Sequence, residues 1–595
     1  MGWLAAMALA TLLWASCGQV YRPVVIPVST TPPNPANFHA VFGISNNVLS
    51  NPGTALQIDV SGDSTIGVAN MGINPTHAAA LPNNSRIFVA SAGSLDVGGV
   101  DVVTAFTPAG DSSVATGLGT PTIFTLPNVG ADQSSAITAI SEDTTGLVTV
   151  TLSAPLVKAQ VGGVVIISGV VVTGNSPNAY DGSFTLTAVS GTTLQYSDSV
   201  LGLPSGSSGT ATIPIPLSCS YQPDFLATAQ AGAVYLANYG AENDPNCSLS
   251  STDSVAVLNP GQSTITEIAY LGPGTHPVAL AETPNAQNLY VVNQGSPTVA
   301  GTIMDLSPTD LSTLATIALP TGSSTPVWAA ASVDSKFLYV VTQGDGALLT
   351  ISTATNTVTS SQSVGGPGAN FVLYDKTRNR LYVTNPTAAA VYVFDATSDA
   401  PTLLSAISMT TGTNAPCPNG CSPVSVTVMP DGSRFYVASY ETQSACPDPN
   451  VGTSVQCIIP RLTVYDARSM TVKPISSSTS LLSPSISLLT RPQFAATQYA
   501  VARVSSCDPA PTYAPGTTRF RMFTAAAADS SHVYVSLCDA GSIADIRATT
   551  SDLSTGGINT PDQLVSDLAA PFSAATAPPG GQPPPQNPIF LLSGQ

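Results

Sequence analysis

NLYVVNQG at 288–295, FLYVVTQG at 337–344, RLYVTNP at 380–386 and RFYVASY at 434–440 are four copies of one phrase. Looser copies stand at 86–91 (RIFVAS), 234–240 (VYLANYG) and 533–538 (VYVSLC). Each sets an aromatic residue inside a β-branched run, follows a turn such as PDGS at 430–433, and leaves through small or polar residues. Such a run suits a short strand bounded by turns. One unit cannot bury its own apolar face, whereas several stacked side by side can. The repeat therefore makes this an all-β chain built of like units.

Composition agrees. Charged residues are 8% of the 595, against about 25% in ordinary soluble domains. A hydrophobic fraction of 43% is ample for a core, so the shortage of charge does not mean disorder. Fifty Pro and 48 Gly suit many short strands joined by turns. The formal net charge of −18, with no basic stripe, excludes nucleic acid as a partner. Outside the extreme N-terminus, no apolar pattern of period 3.6 is long enough for a structural helix.

Residues 1–16, MGWLAAMALATLLWAS, form an apolar run too short for a dependable membrane span and read as an export signal. Trp14-Ala15-Ser16-Cys17-Gly18 resembles the lipobox of bacterial lipoproteins. That resemblance implies lipid on Cys17 as the only membrane contact and a place in the cell envelope, on an outer membrane facing the periplasm or the cell surface. Residues 17–37, rich in Pro, Val and Thr, read as an extended tether. Setting Cys17 aside leaves eight cysteines, enough for four bridges in an oxidising compartment. Eight cysteines allow 105 connectivities. Because repeats keep contacts local, the expected pairs are nearest neighbours: Cys219–Cys247, Cys417–Cys421, Cys446–Cys457 and Cys507–Cys538. CPNGC at 417–421 lacks C-x-x-C spacing and a nearby His, so it reads as a stapled turn, not a metal or redox site.

Around the phrase the order is an inner strand, a PDG-like turn, LYV(V/T)N, a V-x-V-x-D strand, a T-N-T-V turn, a further strand, then G-x-x-P. VYVFDATSD (391–399), LTVYDARSMTV (462–472) and LLTISTATNTV (348–358) carry the third strand. This resembles the YVTN-type β-propeller repeat over most of 54–545, most strongly in 278–472. Tyr290, Tyr339 and Tyr382 lie 49 and 43 residues apart, near the roughly 40–50 residues of a propeller blade. Seven copies, centred on Phe88, Tyr235, Tyr290, Tyr339, Tyr382, Tyr436 and Tyr534, predict seven blades. Strands of the two chain ends share one blade and so close the ring. A count of eight stays open, because Tyr436 and Tyr534 are 98 residues apart and a decayed unit around 493–504 would fit there. An insertion around 476–518 is the preferred reading of that gap.

Residues 134–215 lack the phrase and carry alternating or β-branched runs of their own, such as GLVTVTLSAP and YDGSFTLTAV. They resemble a small all-β module of phage and bacterial surface proteins, looped out of a blade. The expected organisation is a signal peptide (1–16), the tether (17–37) and a first part of the propeller (38–133). The inserted β-domain (134–215), the remaining propeller (216–570) and a Pro-rich C-terminal tail (571–595) follow.

The four histidines, His39, His77, His276 and His532, make no H-x-x-x-H or H-E-x-x-H. His276 precedes an inner strand, where the analogous positions hold Asn74 or Asn370; these three are the candidate contacts at the channel mouth. No G-x-S-x-G elbow opens a helix. The expectation is a monomeric, non-enzymatic interaction scaffold without a cofactor, whose partners are envelope proteins or glycans. The alternative is a lactonase-like hydrolase with a divalent metal in the central channel. Its ligands would be drawn from Glu242, Asn243, Asp244, Glu282, Asp345 and Asp375. Asp395 and Asp466 recur at one point of the repeat and read as turn-forming residues.

Overall fold

The computed structural model describes residues 40–593 apart from interior stretches, the longest being 94–101, 109–117, 173–179, 489–499, 549–561 and 570–585. Cys17, the leader and the tether lie outside the described residues. The chain divides into two compact units: 1–126, 221–240 and 253–595 in the first, 127–220 and 241–252 in the second.

The first unit is a ring of eight small antiparallel sheets, a β-propeller. Blade 1 opens on the inner strand Pro75–Ala80, blade 2 on Pro223–Thr228 and blade 3 on Pro277–Glu282. Blades 4 to 7 open on Pro326–Ala331, Phe371–Asp375, Ser422–Val428 and Thr524–Ala526. In blade 8 the inner strand is Asn587–Ser593, from the C-terminal end, and the outer three are Ala40–Asn46, Pro52–Asp59 and Ser64–Ile73. Each inner strand packs on the next, and Asn587–Ser593 returns to Pro75–Ala80 to complete the circle.

Seven blades is thus corrected to eight, and the missing unit is not near 493–504. Residues 493–499 of that stretch are outside the described residues, and Val501–Ala502 merely pairs with the edge of Cys457–Asp466 in blade 6. The eighth phrase is Val41-Phe42-Gly43-Ile44-Ser45, whose Phe42 is buried like the tyrosines. Its Gly43 hides it among β-branched copies. A Cβ there would meet the tip of the Ile543 side chain of blade 7, which would have to turn aside. Its inner strand lies within 571–595, the stretch read as a Pro-rich tail.

The phrase aromatics Phe88, Tyr235, Tyr290, Tyr339, Tyr382, Tyr436 and Tyr534 are all buried. In three of them the hydroxyl crosses to the outer turn of the next blade. Tyr235 donates to the Pro308 carbonyl (3.3 Å), Tyr290 to Asn356 Oδ1 (2.8 Å) and Tyr436 to Asp562 Oδ1 (2.5 Å). The residue two places before the tyrosine assists. Asn288 donates to Asp305 Oδ2, which also accepts from Asn356 (both 2.8 Å). Arg380 donates to the Ala467 carbonyl. Arg434 grips both Asp562 oxygens at 2.7 Å and donates to the Ala548 carbonyl (2.7 Å). The Arg434 and Asp562 side chains are only 11% and 5% exposed. Arg434→Met therefore leaves a carboxylate buried without its cation, and we expect a loss of about 3–5 kcal/mol in urea unfolding. A loss below about 1 kcal/mol would show that this latch holds no blades together.

The second unit is built on one eight-stranded sheet. Gln133–Glu142 pairs with Leu147–Leu152 as well as with Thr210–Ile213, which joins the ends of a six-strand run. Period-2 alternation sends Val148, Val150 and Leu152 into its core with Leu194 and Tyr196. Cys219–Cys247 bridges this unit; Cys417–Cys421, Cys446–Cys457 and Cys507–Cys538 lie in the ring. Among the described residues no helix is long and apolar enough to cross a membrane.

Candidate functional site: the axis and mouth of the ring

Six inner strands carry the same register shift, between a proline and the residue two places on, as at Pro75/His77 and Pro326/Trp328. In four of these strands the residue before the proline has left-handed backbone: Asn74, Gln222, His276 and Thr325, with φ of 48–53°. The shift turns the second residue past the proline toward the axis. His77, Phe225, Ala279, Trp328, Ser425 and Phe590 occupy that register, and Phe371 and Phe523 match it in the other two blades.

Large rings at this register meet at the centre. His77 stacks on Phe225 (3.9 Å) and packs on Phe590 (4.4 Å); Phe225 meets Trp328 edge-on at 5.2 Å. Trp328 meets Phe371 at 5.2 Å, Phe371 meets Phe523 at 5.9 Å, and Phe523 returns to Phe590 at 4.3 Å. Phe520 fills the side where blade 6 offers only Ser425, lying 4.9, 5.4 and 5.6 Å from Phe523, Trp328 and Phe371. Ring centroids at these separations are packed aromatics, so the axis is a solid apolar plug. Burial drives the His77 imidazole down from its ordinary 6.5 to about 3, so it is neutral, and its Nδ1 accepts the Leu226 N–H (3.3 Å).

Above the plug lies a cap, residues 503–521, which begins inside the insertion read at 476–518 and runs three residues past it. Arg519 donates to Asn74 Oδ1 of blade 1 (2.9 Å) and the Gly516 N–H to Asp224 Oδ1 of blade 2 (3.0 Å). The Tyr513 N–H reaches Gln294 Oε1 after the second strand of blade 3 (3.1 Å). Asn587 of blade 8 donates to Ser506 Oγ (3.2 Å), and Cys507–Cys538 ties the cap to blade 7. Arg521, 1% exposed on its side chain, is held by Asp508 and Asp539 and lies over the Tyr440 ring of blade 6. Asp224 is buried beneath the cap. Its burial outweighs the Gly516 N–H, Arg519 and Thr518 and raises it from 3.8 to about 7.

Of the residues proposed for the mouth, Asn74 is spent on Arg519 and on Asn46 Nδ2 (3.2 Å). Asn370 accepts from Thr384 Oγ1 (2.7 Å) and donates to the Val424 carbonyl (3.1 Å). It lines a cavity of about 180 Å³ left under the cap with Gln343, Thr387, Tyr440 and Arg519. His276 stacks on Tyr239 (4.2 Å), with Nδ1 3.0 Å from the Tyr239 carbonyl and 3.5 Å from Asp253 Oδ2. Of the acids weighed as metal ligands, Asp244, Asp345 and Asp375 accept hydrogen bonds from their neighbours. Asp345 accepts from Ser323 Oγ (2.9 Å), and Asp375 accepts the Thr377 N–H (2.8 Å). Glu282, after burial itself, helps push the Tyr235 hydroxyl up to about 12. Glu242 pairs with Ser251 through its backbone only, and Asp244 accepts the Ser220 N–H (3.0 Å), both within the second unit with Asn243. Asp395 and Asp466 accept N–H groups of their own turns (2.8–2.9 Å).

Sequence reasoning missed the axial aromatics and the cap. A signal for the first was present: the second residue after each recurring proline. Nothing local in 503–521 marks it as a cap, because its partners are spread from Asn74 to Asn587.

No protein-family model matches the sequence, and no curated protein matches it significantly. Among solved structures, dihydro-heme d1 dehydrogenase NirN is similar at 9% identity, over 95% of this chain and 77% of that one, with a TM-score of 0.46. Pseudomonas aeruginosa periplasmic gluconolactonase PpgL is similar at 13% identity, over 76% and 96%, with a TM-score of 0.40. Kuenenia stuttgartiensis hydrazine synthase is similar at 15% identity, over 59% and 87%, with a TM-score of 0.38. The closed circle of eight sheets, and not these likenesses, makes this chain a β-propeller.

Proposed function

We propose that this chain is an exported β-propeller that serves as a non-enzymatic interaction scaffold at the cell envelope, anchored by lipid on Cys17. The observation that carries this reading is the filled axis. A channel-borne metal needs converging oxygen ligands and an open coordination position, and here that volume holds packed rings under a cap. The four disulfides favour an oxidising compartment. What remains for binding is the rim of the ring and the second unit, with envelope proteins or glycans as partners.

Three measurements on the full-length protein test this. Fed a labelled fatty acid, cells should label the wild type and not Cys17→Ala. The purified protein should sediment with isolated peptidoglycan sacculi and leave gluconolactone intact with or without added divalent metal. Metal-dependent lactone hydrolysis would instead establish the hydrolase.

A further inference from the structure

We propose that the cleft between blades 4 and 5 is a binding site for a neutral saccharide. This rests on the scaffold reading and names the chemistry of one of its contacts. The cleft encloses about 500 Å³, within the roughly 300–1,000 Å³ of small-molecule sites. It opens where a latch between blades is missing. At the position of Asn288, Arg380 and Arg434, blade 4 has Phe337, which offers no hydrogen bond. The following tyrosine, Tyr339, is buried, and its hydroxyl has no partner among the described residues. In Tyr235, Tyr290 and Tyr436 that hydroxyl reaches the outer turn of the next blade; here the turn at 396–399 forms the far wall of the cleft instead.

The lining decides the ligand class. Half-buried Phe337 and Tyr374 supply aromatic surface, and Tyr374 is stacked on Tyr339 at 5.8 Å with its hydroxyl donating to Asn379 Oδ1 (2.8 Å). Around them stand the exposed polar groups of Asp334, Lys336, Asn379 and Asp399. Lys336 and Asp334 pair at 3.0 Å, and Asp399 adds a further negative charge, so an anion is not favoured. Sugar rings present an apolar C–H face to an aromatic ring and hydroxyls to carboxylate, amide and ammonium groups at its edge. The strand that carries Phe337 and Tyr339 is paired on both sides and the far wall at 396–399 is a turn, so an extended peptide finds no ladder to join on either.

The test is saturation-transfer NMR and calorimetry on the full-length protein, with N-acetylglucosamine trimer and maltotriose as probes. At least one should bind the wild type, and Tyr374→Ala should weaken it tenfold or more. Asp399→Ala removes an exposed carboxylate from the cleft edge, so it should keep the melting temperature while weakening binding several-fold. Tyr290→Phe, which loses a real latch, should lower the melting temperature and bind as the wild type does. Absence of binding by both sugars, or equal binding by wild type and Tyr374→Ala, overturns the proposal. Sacculus sedimentation that survives Tyr374→Ala would remove this cleft and leave the scaffold standing. Trimer binding without sedimentation would do the reverse.

Discussion

A chain ending at residue 585 is expected not to fold. It loses Asn587–Ser593, the inner strand of blade 8, which supplies Ile589, Phe590 and Leu591, each no more than 6% exposed. At about 1.5–3 kcal/mol for each buried side chain, the apolar loss alone is roughly 5–9 kcal/mol. That is comparable to a whole domain's usual margin of about 5–15 kcal/mol. The truncation also strips Ala40–Asn46 of its ladder partner and leaves His77 and Phe523 facing a gap. The expected result is aggregated or partly unfolded protein by size-exclusion chromatography, with the near-ultraviolet dichroism of the packed rings lost. Phe590→Ala, which keeps the ladder, should fold with a loss of about 3–5 kcal/mol. A soluble, cooperatively melting truncation would show that the ring does not depend on its C-terminal closure.

The second large effect is on pH dependence, where two buried groups oppose each other. Burial puts Asp224 at about 7 against an ordinary 3.8, so between about pH 4 and 7 the folded chain keeps a proton that the unfolded chain has released. Its contribution is complete below about pH 4 and is lost as pH rises through 7. His77, held at about 3 against 6.5, behaves in the opposite sense. Its contribution is complete above pH 6.5 and is lost as pH falls toward 3, because only the unfolded chain takes the proton. Between about pH 4 and 6.5 the two slopes cancel. Asp224→Asn should expose the histidine, and its stability relative to wild type should fall by roughly 2–3 kcal/mol from pH 6.5 to 4.5. His77→Gln should expose the carboxyl and gain a similar amount over the same interval. Urea midpoints across that range are the measurement; parallel curves for the three proteins would show that neither group titrates as its burial implies.

The fold was largely legible because blades repeat. Tyr290, Tyr339 and Tyr382 recur because each must fill the same space between sheets, and evenly spaced aromatics survive in a one-dimensional reading. Phe42 escaped because Gly43, packed against the Ile543 tip, interrupts the β-branched run beside it. The count came out one short for that reason. At the site, Asn74, His276 and Asn370 were picked out for standing at the start of inner strands, but their neighbours were invisible. Asn74 meets Arg519 across 445 residues, and Asp224 meets Gly516 across 292. No periodicity reports a partner at that distance.

By itself, then, the order of residues determined the architecture, the repeat unit and the pool of cysteines, since these follow from local strand chemistry and from units too small to bury themselves alone. Only the tertiary structure decided that eight blades close the circle, that aromatic rings fill its axis, and that one insertion covers the mouth. Those outcomes depend on which side chains meet after the ends have come together, and ring closure brings together residues that share no local pattern.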